Sequence, residues 1–170
     1  MSNAEVAPKT WQQSGLKFLW ITALILVADQ VTKLWILNNL ALMLDRIEVT
    51  SFFNIVHVRN YGAAFSFLAD HSGWQRWFFT SIAIVISVLL LVLLRRQSEN
   101  LKRVNISFAL IIGGAVGNVI DRIRLGSVVD FLDVHVAGWH WPAFNVADSA
   151  IVVGALLMIL DSLLSSKEAK

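Results

Sequence analysis

The sequence predicts an all-α membrane protein, four transmembrane helices with a small β-rich extramembrane segment on the non-cytoplasmic side. Three observations point there. Of 170 residues, 56% are hydrophobic and only 15% charged, with a mean hydropathy of +0.65, whereas soluble domains carry roughly 25% charged residues. Four apolar runs, at about 18–37, 77–94, 104–120 and 145–164, come close to the length that crosses a bilayer core. Between the first two, Glu48 to Asn60 is rich in Val, Ile, Phe and Thr, a composition suited to extended structure outside the membrane, although its alternation is imperfect. Neither repeats nor linkers divide residues 1–170, which read as one integral-membrane domain.

The first 17 residues are polar and lead to no clear small-residue cleavage site, so no removable signal peptide is expected. The first span, 18–37, carries Asp29 and Lys33. At i and i+4 they share a helix face and form a structural ion pair, with Lys33 snorkelling outward near the interface. The interval 38–73 ends in Arg59-Asn60-Tyr61-Gly62, a tight-turn signal, and continues through Phe65, Phe67, Leu68 and Trp74, which would make an apolar patch near the interface.

The second span, 77–94, is free of charge and closed by Arg95 and Arg96. The third, 104–120, holds Gly113 and Gly117, the spacing that lets helix backbones approach closely. A polar segment, 121–144, then leads into the fourth span at 145–164. Eight Lys and Arg residues lie in 1–17, 95–103 and the tail, against five Arg in the longer segments on the other side. Positive-inside logic therefore puts both termini in the cytoplasm.

Composition also narrows the chemistry. With no cysteine there is no disulfide, thiol nucleophile or thiolate metal site. A formal charge of +2 without clustered Lys and Arg gives no nucleic-acid surface. His135 and His140 are five apart and no metal motif occurs, so neither a metal nor a cofactor is expected.

What remains is acid chemistry at the ends of the last two spans. Asn118, Asp121 and Arg122 share one side of a helix end, and Asn145 and Asp148 repeat the i, i+3 spacing where the fourth span starts. A helix N-terminus favours negative charge at Asp148. Between them, Asp130 and Asp133 would point to opposite faces of an extended piece, so only one could join Asp148. Two carboxylates brought together in a partly desolvated site cannot both ionise easily, and the pair then offers a base and an acid at once, as aspartyl proteolysis requires. The same residue types also fit a small proton-coupled transporter or a membrane scaffold, or loop acids simply paired with Arg122 and Arg124.

Five blocks in order carry a resemblance: Asp29-Gln30-xx-Lys33, Arg59 to Phe65 (RNYGAAF), Gly117-Asn118-xx-Asp121-Arg122, Val128-Val129-Asp130-Phe131 and Phe144 to Ser149 (FNVADS). In these the chain resembles the bacterial lipoprotein signal peptidases, also called signal peptidase II, of aspartyl peptidase family A8. The resemblance implies an inner-membrane endopeptidase that cuts prolipoproteins just before a diacylglyceryl-modified cysteine. It implies Asp130 and Asp148 as the catalytic pair. Asn60, Gly62, Asn118, Asp121, Arg122 and Asn145 would orient the pair and bind substrate backbone. It further implies a monomer whose partners are the lipid-modified substrate and membrane lipids, with its site near the periplasmic face.

Overall fold

The computed structural model describes residues 10–62 and 73–168. A one-turn 3-10 segment, Gly15–Phe18, opens α1 (Leu19–Asn39). The strands β1 (Arg46–Thr50) and β2 (Phe53–Asn60) precede α2 (Trp74–Arg96) and α3 (Lys102–Leu125). Strands β3 (Val128–Val136) and β4 (Trp139–His140) then lead into α4 (Val146–Glu168). All four helices are long and apolar enough to cross a membrane. The four strands form one antiparallel sheet in the order β1-β2-β3-β4. The fold is thus mostly helical, with a small sheet at one end.

Helix α3 is the hub. Of its most apolar stretch 67% is buried, against 11–17% in the other three, whose remaining surface is left for lipid. Glycines create that centrality by removing side chains where backbones meet. A Cβ on Gly113 would press on Ile25 and the Thr22 carbonyl of α1 at 3.0–3.2 Å. One on Gly114 would overlap the Ala147 carbonyl of α4, and one on Gly117 would lie 2.7 Å from Asp29 Oδ2. Gly113 and Gly117 therefore both serve the α1 contact. The α4 contact uses Gly114 and, from the other side, Gly154 against the Ser107 carbonyl.

At the end away from the sheet, Leu16, Leu94, Phe108 and Ile112 form one apolar cluster. There the N-terminal segment is tied to the α2–α3 turn by Gly15 N to Gln97 O, Glu99 N to Gln13 O (3.2 Å each) and a Lys17–Glu99 ion pair. A second cluster, Ile36, Leu40, Val129 and Phe131, lies where α1 meets the sheet and fixes β3 to the bundle.

Several local outcomes differ from the sequence reading. The stretch 48–60 is two strands with a turn at Ser51–Phe52, which accounts for its broken alternation. Helix α3 runs past residue 120 to Leu125, where Gly126, at φ 79°, donates to the Arg122 carbonyl and ends it. Asp121 and Arg122 therefore lie inside α3, on the helix where their spacing from Asn118 put them, and the polar segment starts only after Leu125. Of the expected interfacial patch, Trp74 begins α2 and is exposed, whereas Phe65, Phe67 and Leu68 lie outside the described residues.

Candidate active site

Ten residues drawn from the sequence blocks converge at the sheet end of the bundle, and α4 shows why. Asn145 is its N-cap: its Oδ1 accepts from Asp148 N at 2.8 Å, while Asp148 Oδ2 accepts from Asn145 N at 3.3 Å. This reciprocal pair is a capping box, in which two otherwise orphaned helix-end amides are satisfied by side chains. A third amide, Ala147 N, donates to Asp29 Oδ1 of α1 at 3.0 Å. The first turn of α4 is therefore held by carboxylates from its own sequence and from another helix.

Asn145 also reaches across to β3. Its Nδ2 lies 2.7 Å from Asp130 Oδ1, with longer contacts to the Val129 carbonyl and Asn118 Oδ1 (3.3 Å each). The other oxygen of Asp130 accepts from Asn60 Nδ2 at 3.1 Å, at the end of β2. The other oxygen of Asp148 accepts from Asn118 Nδ2 at 2.8 Å. One asparagine thus links both aspartates, and each has a second amide donor from a different element.

The orientation of Asn118 is fixed by Lys33, whose Nζ is 3.1 Å from Asn118 Oδ1. An ammonium can only donate, so it holds the amide oxygen toward itself and leaves the nitrogen for Asp148. Lys33 is 1% exposed and bridges Asp29 and Asp121 at 2.9 Å each. It therefore turns inward and does not snorkel. Two buried acids hold it there, and drawing it out would leave both uncompensated in a dry site. Asp121 in turn accepts from Val129 N (3.1 Å) and Gln30 Nε2 (3.1 Å), tying β3 to α1 and α3. Gln30 was the residue missed among the candidates, although it stands inside the Asp29-Gln30-xx-Lys33 block.

A cleft of about 1150 Å³ opens beside these groups. Asn60, Gly62, Asn118, Arg122, Asp130 and Asp148 are among its polar lining, and Trp141, Phe144, Ile151 and Val152 among its apolar lining. Asn60 Oδ1 accepts from Gly62 N at 3.1 Å, the Asx turn that the Asn-x-Gly spacing signals. Arg122 Nη2 donates to the Gly62 carbonyl at 3.3 Å, and its guanidinium lies 5.6 Å from the Phe79 ring centroid. Arg122 Nε and Arg59 Nη1 are buried without a partner among the described residues.

Asp133 lines the same cleft as Asp130, contrary to the opposite faces expected of a regular strand. The ladder is irregular between the two acids: β2 carries an extra residue against β3 between Ile55 and Val58, and Phe131 N and Leu132 N both donate to the Phe144 carbonyl, at 3.0 and 2.8 Å. Such bulge geometry breaks the strict alternation of facing that a regular strand would impose. The two acids nevertheless have opposite surroundings. Burial pushes Asp130 up to about 7, and the neighbouring Asp148 charge adds to that, against the amides of Asn60 and Asn145 and the Lys33 charge. Burial also acts on Asp133, but Asn54 and His140, at 2.8 and 2.7 Å, outweigh it and hold this acid below the usual carboxylate range.

Fold and site together define a four-helix membrane protein with an asparagine-linked aspartate pair in a cleft at one end of the bundle. The family model described as signal peptidase (SPase) II, peptidase A8, matches residues 21–164, and the chain belongs to that family. Its members make it a membrane peptidase. It is 52% identical over 163 residues to the lipoprotein signal peptidase of Shewanella piezotolerans, covering 96% of this chain and 95% of that one. With the lipoprotein signal peptidase of Shewanella loihica the identity is 53% over 161 residues, covering 95% and 94%. A solved structure described as a bacterial membrane enzyme determined by the in meso method superposes with a TM-score of 0.81 at 32% identity, over 94% of this chain and 96% of that one.

Proposed function

We propose that the chain is an aspartyl endopeptidase of the bacterial inner membrane that removes the signal peptide of prolipoproteins, cutting before a diacylglyceryl-modified cysteine. The observation that carries this reading is the joint hold of Asn145 on Asp130 and Asp148 beside a cleft lined by both polar and apolar residues. Such a cleft suits a substrate that is polar peptide at the bond to be cut, with an apolar signal segment on one side and a lipid-modified residue on the other.

In this mechanism Asp148 is the ionised member, favoured by its position in the first turn of α4. Asp130, pushed up to about 7, carries the shared proton. Asp148 takes a proton from a water as its oxygen attacks the scissile carbonyl, and the Asp130 O–H hydrogen-bonds the oxyanion that forms. Collapse of the tetrahedral species returns a proton to the leaving amine, and the pair is reset. Asn60, Gly62 and Arg122 hold the substrate backbone. The unmet N–H groups of Arg122 Nε and Arg59 Nη1 supply donors for its carbonyls. Asp121 and the Asp29–Lys33 pair position the two acids from behind the cleft, and Asn118 positions Asp148 from its lining.

The Lys and Arg distribution supports cytoplasmic termini and a site near the periplasmic face. The enzyme acts as a monomer in contact with membrane lipids. The deciding experiment compares cleavage of one prolipoprotein with and without its diacylglyceryl group by purified protein in lipid nanodiscs. Cleavage confined to the lipidated form is expected; equal cleavage of both forms would remove the lipid from the reading, and cleavage of neither would overturn it.

A further inference from the structure

Of the seven tryptophans, five lie at the sheet end of the bundle and are exposed: Trp35 near the end of α1, Trp74 and Trp77 at the start of α2, and Trp139 and Trp141 in and after β4. Indoles prefer the membrane–water boundary, where the ring meets hydrocarbon and the N–H meets water. The first three sit on membrane-spanning helices and mark where that boundary falls.

Trp139 belongs to no helix and packs into no core. It stands on the hairpin formed by β3 and β4, turned by Ala137 and Gly138 at φ 50° and 81°, a two-residue turn of the primed kind. The tip from Val136 to Trp139 contains no charged residue, and Val136 and Trp139 are 67% and 63% exposed. Trp139 meets Trp141 edge to face at 6.1 Å. The root of the hairpin is rigid. His140 stacks on His135 at 4.8 Å and donates to Asp133, which is also held by Asn54 of β2. After Trp141 only four residues intervene before α4 begins, so the hairpin is joined closely to a membrane-spanning helix. An apolar, exposed tip fixed on a polar root, at the same end of the bundle as three other exposed indoles and joined to a membrane-spanning helix within a few residues, has the lipid boundary as its fitting partner.

We infer that the 136–141 hairpin is an interfacial anchor: Val136 and Trp139 insert among lipid headgroups and upper acyl chains, and so hold the cleft mouth, lined by His140 and Trp141, at that depth. This rests on the membrane placement of the four helices and not on the catalytic reading.

The chain has no cysteine, so Trp139→Cys and, as a control on the charged strand β1, Glu48→Cys each give one labelling site. Both variants, carrying an environment-sensitive fluorophore, are placed in nanodiscs of phosphatidylethanolamine and phosphatidylglycerol. Lipids spin-labelled at the headgroup or at acyl carbon 5 should quench the probe at 139 at least about twofold more than the probe at 48, with aqueous iodide ranking them in the opposite order. Equal ranking at both sites overturns the proposal, as does lipid-independent shielding of 139 that appears only when two copies share a disc. In vesicles, Trp139→Gln should raise KM for a bilayer-embedded prolipoprotein about fivefold with kcat unchanged, and Trp139→Phe should restore most of it. A fall in kcat with KM unchanged also overturns it. The probe measurement needs no activity, so its failure is distinct from failure of the peptidase reading.

Discussion

Asn145 and Asp148 bond each other twice across the first turn of α4, side chain to backbone in both directions. The residue that starts the helix and a member of the acid pair are thereby a single structural unit. The shortest contact of Asn145 Nδ2, which takes no part in the cap, is to Asp130, so helix capping and acid pairing can be separated by substitution. Serine caps a helix about as well as asparagine but has no second donor to reach β3. Asn145→Ser is therefore expected to keep the thermal midpoint within a few degrees and lower kcat by roughly 10²-fold. Circular-dichroism melting beside a cleavage assay reads both. A variant that melts early would instead make the cap the dominant role.

Asp130→Asn and Asp148→Asn should each leave a folded protein whose cleavage rate falls by at least about 10³-fold, since an amide can neither take the proton from water nor carry the shared one. Single-turnover cleavage of a lipidated substrate is the measurement. Substantial cleavage by either variant would sink the assignment of the pair.

The position of Asp130 at about 7 has a pH consequence for stability as well as rate. An acid raised on folding binds its proton more tightly in the folded than in the unfolded chain. Its contribution is fully present below its unfolded value near 3.8 and is lost as pH rises to about 7. Asp130→Asn removes that loss, so the variant should gain thermal stability over the wild type at pH 8 and show little gain at pH 4. The upper bound is a few kcal/mol at about 1.4 kcal/mol per pKa unit, less what is lost where an amide N–H meets the donors of Asn60 or Asn145. In the wild type, kcat/KM should decline as pH rises through about 7. Melting and rate profiles across pH 4 to 9 test both.

Lys33 neutralises two buried acids, and removing it differs from removing one of them. Lys33→Met would leave Asp29 and Asp121 buried and unpaired, at a cost of about 3–5 kcal/mol. Asp121→Asn leaves the Asp29–Lys33 pair intact and should be milder in stability, and milder in activity than Asp148→Asn. Adding Asp121→Asn to Lys33→Met should recover part of the lost stability. Denaturation in mild detergent ranks the three, and Lys33→Met melting with the wild type would show the network to be dispensable.

Gly114→Ala tests the hub. Its Cβ would overlap the Ala147 carbonyl, which belongs to backbone and cannot swing away. Separation of α3 from α4 should cost about 1–3 kcal/mol and disturb Asp148, one residue further on. A Gly138→Ala change, at a tip with open space around it, should cost only the strain of its φ of 81°.

Much of the site could be read from residue spacing because helices report their faces at i, i+3 and i+4. Asn118 with Asp121, Asn145 with Asp148, and Asp29 with Lys33 meet at those intervals. The four spans were legible for a related reason: apolar length is a one-dimensional signal. The direction of Lys33 was not legible, because snorkelling or burial depends on whether partners from other helices await it, and Asp121 and Asn118 are 88 and 85 positions away. Nor was the facing of Asp133. An irregular ladder breaks strand parity, and nothing in Val-Val-Asp-Phe-Leu-Asp marks where the β2 register will shift or where two amides will share the Phe144 carbonyl. The extension of α3 to Leu125 was foreshadowed by Gly126, a helix-ending signal that hydropathy alone overlooks.

The Asp29–Lys33 pair also bears on the order in which the chain can be made. Asp121 and α4 are synthesised long after α1 has to enter the bilayer, so the final partners of these two charges are absent at that moment. Because acid and base sit one turn apart on a single helix, α1 carries its own counter-ion during insertion and enters with no net charge at that level. When α3 arrives, Lys33 needs only to share its ammonium with Asp121, and the free oxygen of Asp29 is left to receive the first turn of α4. The pair that braces the finished site is thus also one that needs no partner from another helix to be neutral.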